Sequence, residues 1–103
     1  MALFHLSIIT PKGEVFTGDI ESLVAPGEEG YLGVMASHAP MIASLKQGAL
    51  TARGPEGALF FAVGAGVLEV AENQALVLVD DAEHAENVDA ASLRSKALTA
   101  HHY

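Results

Sequence analysis

Turn-forming residues divide the chain into short apolar runs. Clusters at Pro11-Lys12-Gly13, Gly18-Asp19, Pro26-Gly27-Glu28-Glu29-Gly30, Lys46-Gln47-Gly48, Gly54-Pro55-Glu56-Gly57, Gly64-Ala65-Gly66 and Glu72-Asn73-Gln74 supply this punctuation. Glycine provides the positive φ of tight turns, and proline presets their first position. The runs between them are roughly four to eight residues long, the length of strands and too short for helices. Phe4, Leu6 and Ile8 share one face, with His5 and Ser7 on the other. Ile20, Ser22 and Val24 alternate with Glu21 and Leu23. Leu59, Phe61 and Val63 alternate with Phe60 and Ala62, which predicts a strand buried on both faces. Val67-Leu68-Glu69-Val70 and Ala75-Leu76-Val77-Leu78-Val79 flank a short polar turn and read as a hairpin. Strands at this spacing with no long helix between them predict antiparallel pairing in a sandwich or barrel.

The pattern changes after Val79. Asp80-Asp81-Ala82-Glu83-His84-Ala85-Glu86-Asn87 is acidic and Ala-rich and has no period of two. Asp89 is the predicted N-cap of a helix over 90–100, with Leu93, Ala97 and Ala100 as its weakly apolar face. A helix this short needs something to pack on. The expected organisation is a β-sandwich domain over residues 1–80, an acidic linker over 81–89 and a short helical tail over 90–103.

Composition narrows the function classes. The 103 residues suit one domain with a single core. Thirteen Asp and Glu against five Lys and Arg give a formal net charge of −8. Phosphate backbones and anionic headgroups repel such a surface, so no nucleic acid partner and no purely electrostatic hold on a membrane are expected. The absence of cysteine removes disulfides, thiolate nucleophiles and Cys-based zinc sites. The first residues lack the basic stretch of a secretory signal. The charge-free stretch Gly30–Leu45 contains Ser37, His38, Pro40 and Ser44 and falls short of the ~20 apolar residues of a spanning helix.

No catalytic constellation emerges. His5, His38, His84, His101 and His102 do not match a metal-ligand spacing. His101-His102 reads as a natural end or an engineered remnant, either of them ahead of a metal site. The carboxylates fall mostly in turns and the linker, where solvated groups are ordinary, and no G-x-S-x-G occurs. Gly64-Ala65-Gly66 is followed by Val67-Leu68 where a phosphate loop needs Lys and Ser or Thr. Those glycines read as a turn or bulge between strands. No catalytic residue, metal or cofactor is expected.

One stretch stands apart. Val24 through Val34, followed by Ser37-His38-Ala39-Pro40-Met41-Ile42, mixes Tyr31, Leu32, Val34, Met35, Met41 and Ile42 with glycines, a proline and few charges. These apolar residues either cap one end of the sandwich or form an exposed docking surface.

The order of features resembles the epsilon subunit of F-type ATP synthases, called delta in mitochondria. The family's Val-Phe-x-Gly segment is matched by Val15-Phe16-Thr17-Gly18, and its Pro/Thr-Gly-x-x-Gly-x-Leu-Gly stretch by Val24 to Val34. Its His-Ala-Pro is matched by His38-Ala39-Pro40, its Lys-x-Gly turn by Lys46-Gln47-Gly48. Its Gly-Gly-x-Leu-Glu-Val strand is matched by Gly64 to Val70, with Ala65 interposed. The resemblance covers roughly residues 3 to 89. It implies an antiparallel β-sandwich of about ten strands with a C-terminal helical part. It also implies a non-catalytic central-stalk subunit of a proton- or sodium-translocating ATP synthase, which couples ring rotation to the catalytic head. The partners so implied are the membrane rotor ring, at Glu29, Gly30, Tyr31 and Leu32, and the gamma shaft, at Thr10, His38, Ala39, Pro40 and Met41. The location implied is peripheral, on the cytoplasmic face of a bacterial plasma membrane or its organelle equivalent, held there only through the complex.

The chain departs from the family pattern at three places. Tyr31 stands where Glu is frequent, which makes the ring-facing contact more apolar. Ala36-Ser37 replaces a frequent Pro-Gly before the His-Ala-Pro. Val88-Asp89-Ala90-Ala91-Ser92-Leu93 carries Ser92 where a nucleotide-sensing pattern has Arg, so ATP binding is not expected. Members of the family usually continue into a hairpin of two substantial helices that in many of them inhibits ATP hydrolysis. The segment up to Tyr103 has room for about one short helix, so the expectation is a subunit without hairpin-type inhibition. Two other classes stand beside this one. A free-standing sandwich that binds a ligand or peptide would carry a filled pocket. A metal-dependent enzyme on a small barrel would bring His5 and His38 together around an ion.

Overall fold

A computed structural model gives the backbone of residues 2–100 and the side chains of residues 2–94. Ten strands form in chain order: β1 Phe4–Thr10, β2 Gly13–Ile20, β3 Ser22–Gly27, β4 Gly30–Met35, β5 Met41–Leu45, β6 Gly48–Gly54, β7 Gly57–Val63, β8 Gly66–Ala71, β9 Gln74–Val79 and β10 Ala82–Ala85. One helix, α1, spans Val88–Ala100. The hydrogen-bonded path is β10-β7-β6-β3-β5-β8-β9-β1-β2, with β4 also on β3. Its weakest link is the β3–β5 step, a single register pair at Gly27↔Leu45. There the sheet folds into two facing layers, β10-β7-β6-β3-β4 and β5-β8-β9-β1-β2. The mainly antiparallel β-sandwich with a C-terminal helix is therefore the architecture the sequence predicts.

Alternation assigns the core. Phe4, Leu6 and Ile8 from β1, Leu68 and Val70 from β8, and Ala75, Val77 and Val79 from β9 face Leu23, Ala25, Val34, Leu50, Ala52, Phe61 and Val63 from the other layer. Phe61 is the largest fully buried side chain and meets Phe16 at a centroid distance of 5.7 Å. Each fully buried Val, Leu, Ile or Phe among them contributes about 1.5–3 kcal/mol relative to exposure.

Several local expectations change. One pair, β1 with β9, is parallel, with His5↔Gln74 through Ile9↔Leu78. The whole domain serves as its crossover, which satisfies the long connection that parallel neighbours need. Gly18-Asp19 is not a turn but lies inside β2. Ile20 and Val24 do not share a face, because the chain bends at Glu21, whose N–H donates to the Arg53 carbonyl at 2.6 Å. Ile20 and Leu23 consequently both enter the core, while Val24 is exposed.

The stretch 81–89, expected as a linker, contains β10, which adds to the edge of β7 at Ala82↔Val63 through Ala85↔Phe60. Residue-level hydrophobicity hid it, since Glu83 and His84 are polar and exposed, although the His84 ring meets Phe61 edge-on, and only Ala85 is buried. The helix begins at Val88, and its cap is Asn87 rather than Asp89: Asn87 Oδ1 accepts the Ala90 N–H at 2.7 Å. Its packing face is Ala91 with Ala90, seated on Ala49, Ala85 and Phe60, and Leu93 points to solvent. Ala97, Ala100 and the His101-His102 pair lie outside the residues whose side chains are described. This helix covers the outer faces of β6 and β7, which explains why β7 reads as apolar on both sides.

Candidate functional site: two loop surfaces at opposite ends of the sandwich

The Glu29–Leu32 group lies at the β3–β4 hairpin. Gly27 and Gly30 pair across a two-residue turn made by Glu28 and Glu29. Gly30 has φ +128°, which side-chain-bearing residues rarely adopt. A Cβ on Gly27 would stand 2.7 Å from the Gly30 carbonyl oxygen and 2.8 Å from Leu32 Cδ2. The Glu28 N–H donates to the Ser44 carbonyl at 3.0 Å and ties the tip to β5. Of the four residues, Tyr31 projects outward at 61% exposure, whereas Leu32 packs against the core. The tip thus presents two carboxylates and an aromatic ring.

The His38 group lies in the β4–β5 loop. Ser37 has φ +63°, and the His38 N–H closes a turn onto the Met35 carbonyl at 3.2 Å. The His38 imidazole Nδ1 donates to the Ala39 carbonyl at 2.7 Å. Ala39 and Pro40 are exposed, and Met41 is half-buried with its side chain against the core. The Ser37 N–H also donates to Asn73 Oδ1 at 2.9 Å, while Asn73 Nδ2 donates to the Leu3 carbonyl at 2.9 Å. The loop therefore sits beside the start of β1.

Thr10 sits at the other end of β1. Its hydroxyl accepts the Lys12 N–H at 3.1 Å and donates to the Gly13 carbonyl at 3.3 Å, closing the β1–β2 turn. At about 3.3 Å per strand residue, Leu3 and Thr10 are some 20 Å apart. Thr10 shares its end with the Glu28-Glu29 tip, since Ile9 registers with Leu78 and Leu45 with Gly66. The five residues expected at the shaft, His38 among them, are thus not one patch.

Sequence reasoning missed what lies between. The outer face of the β5-β8-β9-β1 layer carries Ile42, Val67, Leu76, Leu78 and Ile9, with Ile42 at 74% and Leu78 at 42% exposure. This face runs from the His38 loop to Thr10. The signal was available in Leu76-Val77-Leu78-Val79, an unbroken apolar run where a half-solvated strand would alternate. On the opposite layer Val24 and Met35 are exposed along with Tyr31.

Other chemistry is sparse. His5 bonds Asp19 Oδ1 at 3.1 Å through Nδ1 and Thr17 Oγ1 at 2.8 Å through Nε2, so it is engaged separately from His38. Among the described residues no three His, Asp or Glu side chains gather as metal ligands. A cleft of about 330 Å³ lies between the end of β2 and the β6–β7 turn, with Phe16, Ile20 and Leu59 as floor and Asp19 and Glu56 at its rim. Ser92 stands on α1 as the sequence indicates, and among the helix's described side chains the cation is Arg94, which donates to the His84 carbonyl and lies 3.6 Å from Glu83. Among the described residues no helix is long and apolar enough to cross a membrane.

Residues 3–85 match the family described as ATP synthase, Delta/Epsilon chain, beta-sandwich domain. The chain belongs to that family. The match ends at the last residue of β10, so the family's sandwich includes the strand that the composition had hidden. The ATP synthase epsilon chain of Moorella thermoacetica is 43% identical over 90 residues, covering 86% of this chain and 67% of that one. The epsilon chain of Pelotomaculum thermopropionicum is 46% identical over 88 residues, covering 84% and 65%. The chain thus spans about two thirds of the length of these relatives. Among solved structures, a chain of the Euglena gracilis mitochondrial ATP synthase OSCP/F1/c-ring assembly shares the fold at a TM-score of 0.78 and 18% identity. The overlap covers 97% of this chain and 62% of that one. A chain of the Tetrahymena thermophila mitochondrial ATP synthase central stalk and c-ring gives 0.67 at 16% identity, covering 94% and 90%.

Proposed function

We propose that this chain is a non-catalytic central-stalk subunit that couples ion-driven ring rotation to ATP synthesis, docking on the rotor ring and on the gamma shaft. The observation that carries the proposal is a pair of exposed surfaces, the β3–β4 tip and the apolar outer face of β5-β8-β9-β1, built on one packed core. The Glu28–Tyr31 tip is the ring contact, with Glu29, Gly30, Tyr31 and Leu32 as its residues. The shaft lies along the outer face of β5-β8-β9-β1, from His38, Ala39, Pro40 and Met41 over Ile42 and Leu78 to Thr10. That path gives Thr10 and His38 one partner although they stand at opposite ends. Apolar side chains left exposed on a sheet face are the ordinary mark of a partner surface. Interiors packed to crystal density deform little, so a load applied at the tip reaches the shaft face. Membrane association is peripheral and comes through the complex, at the cytoplasmic face in a bacterium.

Recovery of partner subunits from native membranes with the tagged chain, identified by mass spectrometry, tests this. Wild type is expected to bring down both ring and shaft subunits. Tyr31→Asp should lower ring recovery selectively, and Leu78→Glu with Ile42→Glu should lower shaft recovery. Absence of both partners, while the remaining machine stays intact, overturns the proposal.

A further inference from the structure

The conformation of the His38 loop depends on a residue far from it in sequence. Ser37 holds φ +63° without being glycine, a backbone state that residues with a side chain avoid unless neighbours hold it. Its N–H is taken by Asn73 Oδ1 at 2.9 Å. The same amide side chain donates to the Leu3 carbonyl at 2.9 Å, and the Asn73 carbonyl accepts the His5 N–H at 3.2 Å. Asn73 itself has φ +60° next to Glu72 at φ +51°, the two-residue turn that joins β8 to β9. Asparagine is among the few side chains that tolerate that state. This turn thus offers an amide whose acceptor meets the loop and whose donor meets the first strand.

We infer that Asn73 is a positioning residue for the shaft-docking loop: by bonding Ser37 and Leu3 together, it fixes the presentation of His38, Ala39 and Pro40. The inference rests on the docking role proposed above for that loop. Aspartate would keep the acceptor that holds Ser37 and lose the donor to Leu3. Glycine would keep the turn, because it adopts positive φ freely, and lose both bonds. Affinity lost through Asn73→Gly is then a loss of loop order, since a loop that must be ordered on binding docks less tightly.

The test compares wild type, Asn73→Gly and Asn73→Asp in three readouts. These are thermal midpoint, amide hydrogen exchange at Ser37, and titration with purified gamma shaft subunit. Glycine also relieves the positive-φ cost at residue 73, which offsets the lost bonds. The expected result for Asn73→Gly is therefore a midpoint within a few degrees of wild type, Ser37 exchange about tenfold faster, and affinity about fivefold weaker, the value of one hydrogen bond. Asn73→Asp should hold Ser37 exchange and affinity within about twofold. Unchanged Ser37 exchange in Asn73→Gly overturns the inference, and so does faster exchange with unaltered affinity. A midpoint that falls in step with affinity also overturns it, because that is the signature of a purely structural residue. Failure of the wild-type chain to bind the shaft subunit sinks the docking role itself, while Ser37 exchange still decides whether Asn73 orders the loop.

Discussion

Gly66→Ala adds one methyl group at a place where the neighbouring strand leaves no room. Gly66 opens β8 and registers with Leu45 on one side and Val79 on the other. A Cβ there would stand 2.0 Å from the Leu78 carbonyl oxygen and 2.7 Å from Val79 Cα. Both atoms are backbone, so no side-chain rotation relieves the overlap. The shortfall from ordinary contact is about 1.4 Å, and β9 must lift by a similar distance. Overpacking of this kind costs about 1–3 kcal/mol, and one or two weakened ladder hydrogen bonds add about 1 kcal/mol each. The expected loss is roughly 3 kcal/mol, or a fall of some 12–24 °C in the thermal midpoint of a domain this size.

Gly64→Ala is the internal comparison. Its Cβ would fall 1.9 Å from Asp80 Oδ1, a nominally worse clash, but Asp80 is exposed and its carboxylate can swing away. The nearest backbone atom, Asp81 N, is 3.5 Å off. The expected loss is about 1 kcal/mol or less. Urea and thermal unfolding followed by circular dichroism at one pH would rank the two. The reasoning is refuted if Gly66→Ala unfolds within about 1 kcal/mol of wild type, or if Gly64→Ala proves the more damaging.

Three further outcomes follow from named contacts. Phe61→Ala empties the centre of the core and removes the ring contacts to Phe16 at 5.7 Å and His84 at 5.4 Å, so denaturant titration should show a loss of about 3–5 kcal/mol. Asn87→Ala removes the cap of α1, and far-UV circular dichroism should show lower helical content with β signal retained, at a local loss of about 1 kcal/mol; loss of sandwich stability would contradict it. Calorimetric titration of ATP into the chain should show no saturable heat, since Ser92 stands where the nucleotide-sensing pattern needs its cation and the nearby Arg94 is held by His84 and Glu83.

The sequence by itself determined the sandwich, because strand faces and turns are written locally. Period-two alternation places Leu6, Ile8, Leu68 and Val77 inward, and glycine or proline marks the turns at residues 11–13, 46–48 and 54–57. The same local signals carried the Gly27–Gly30 tip and the Ser37–Met41 loop, whose residue order matches the family. What they could not carry was any relation set by distant pairing. The four residues of β10 owe their state to a free edge on β7, and the parallel β1–β9 pair to where the β8–β9 hairpin comes to rest. The phase flip at Glu21 needs the Arg53 carbonyl, and the Ser37 conformation is met by an amide that is 36 residues away. The outward apolar face of β9 was legible as an unbroken run, but only the tertiary structure showed which of its residues point away from the core. Local propensity fixes which residues can be strand or turn. Long-range packing decides which edges are filled and which surfaces stay open to a partner.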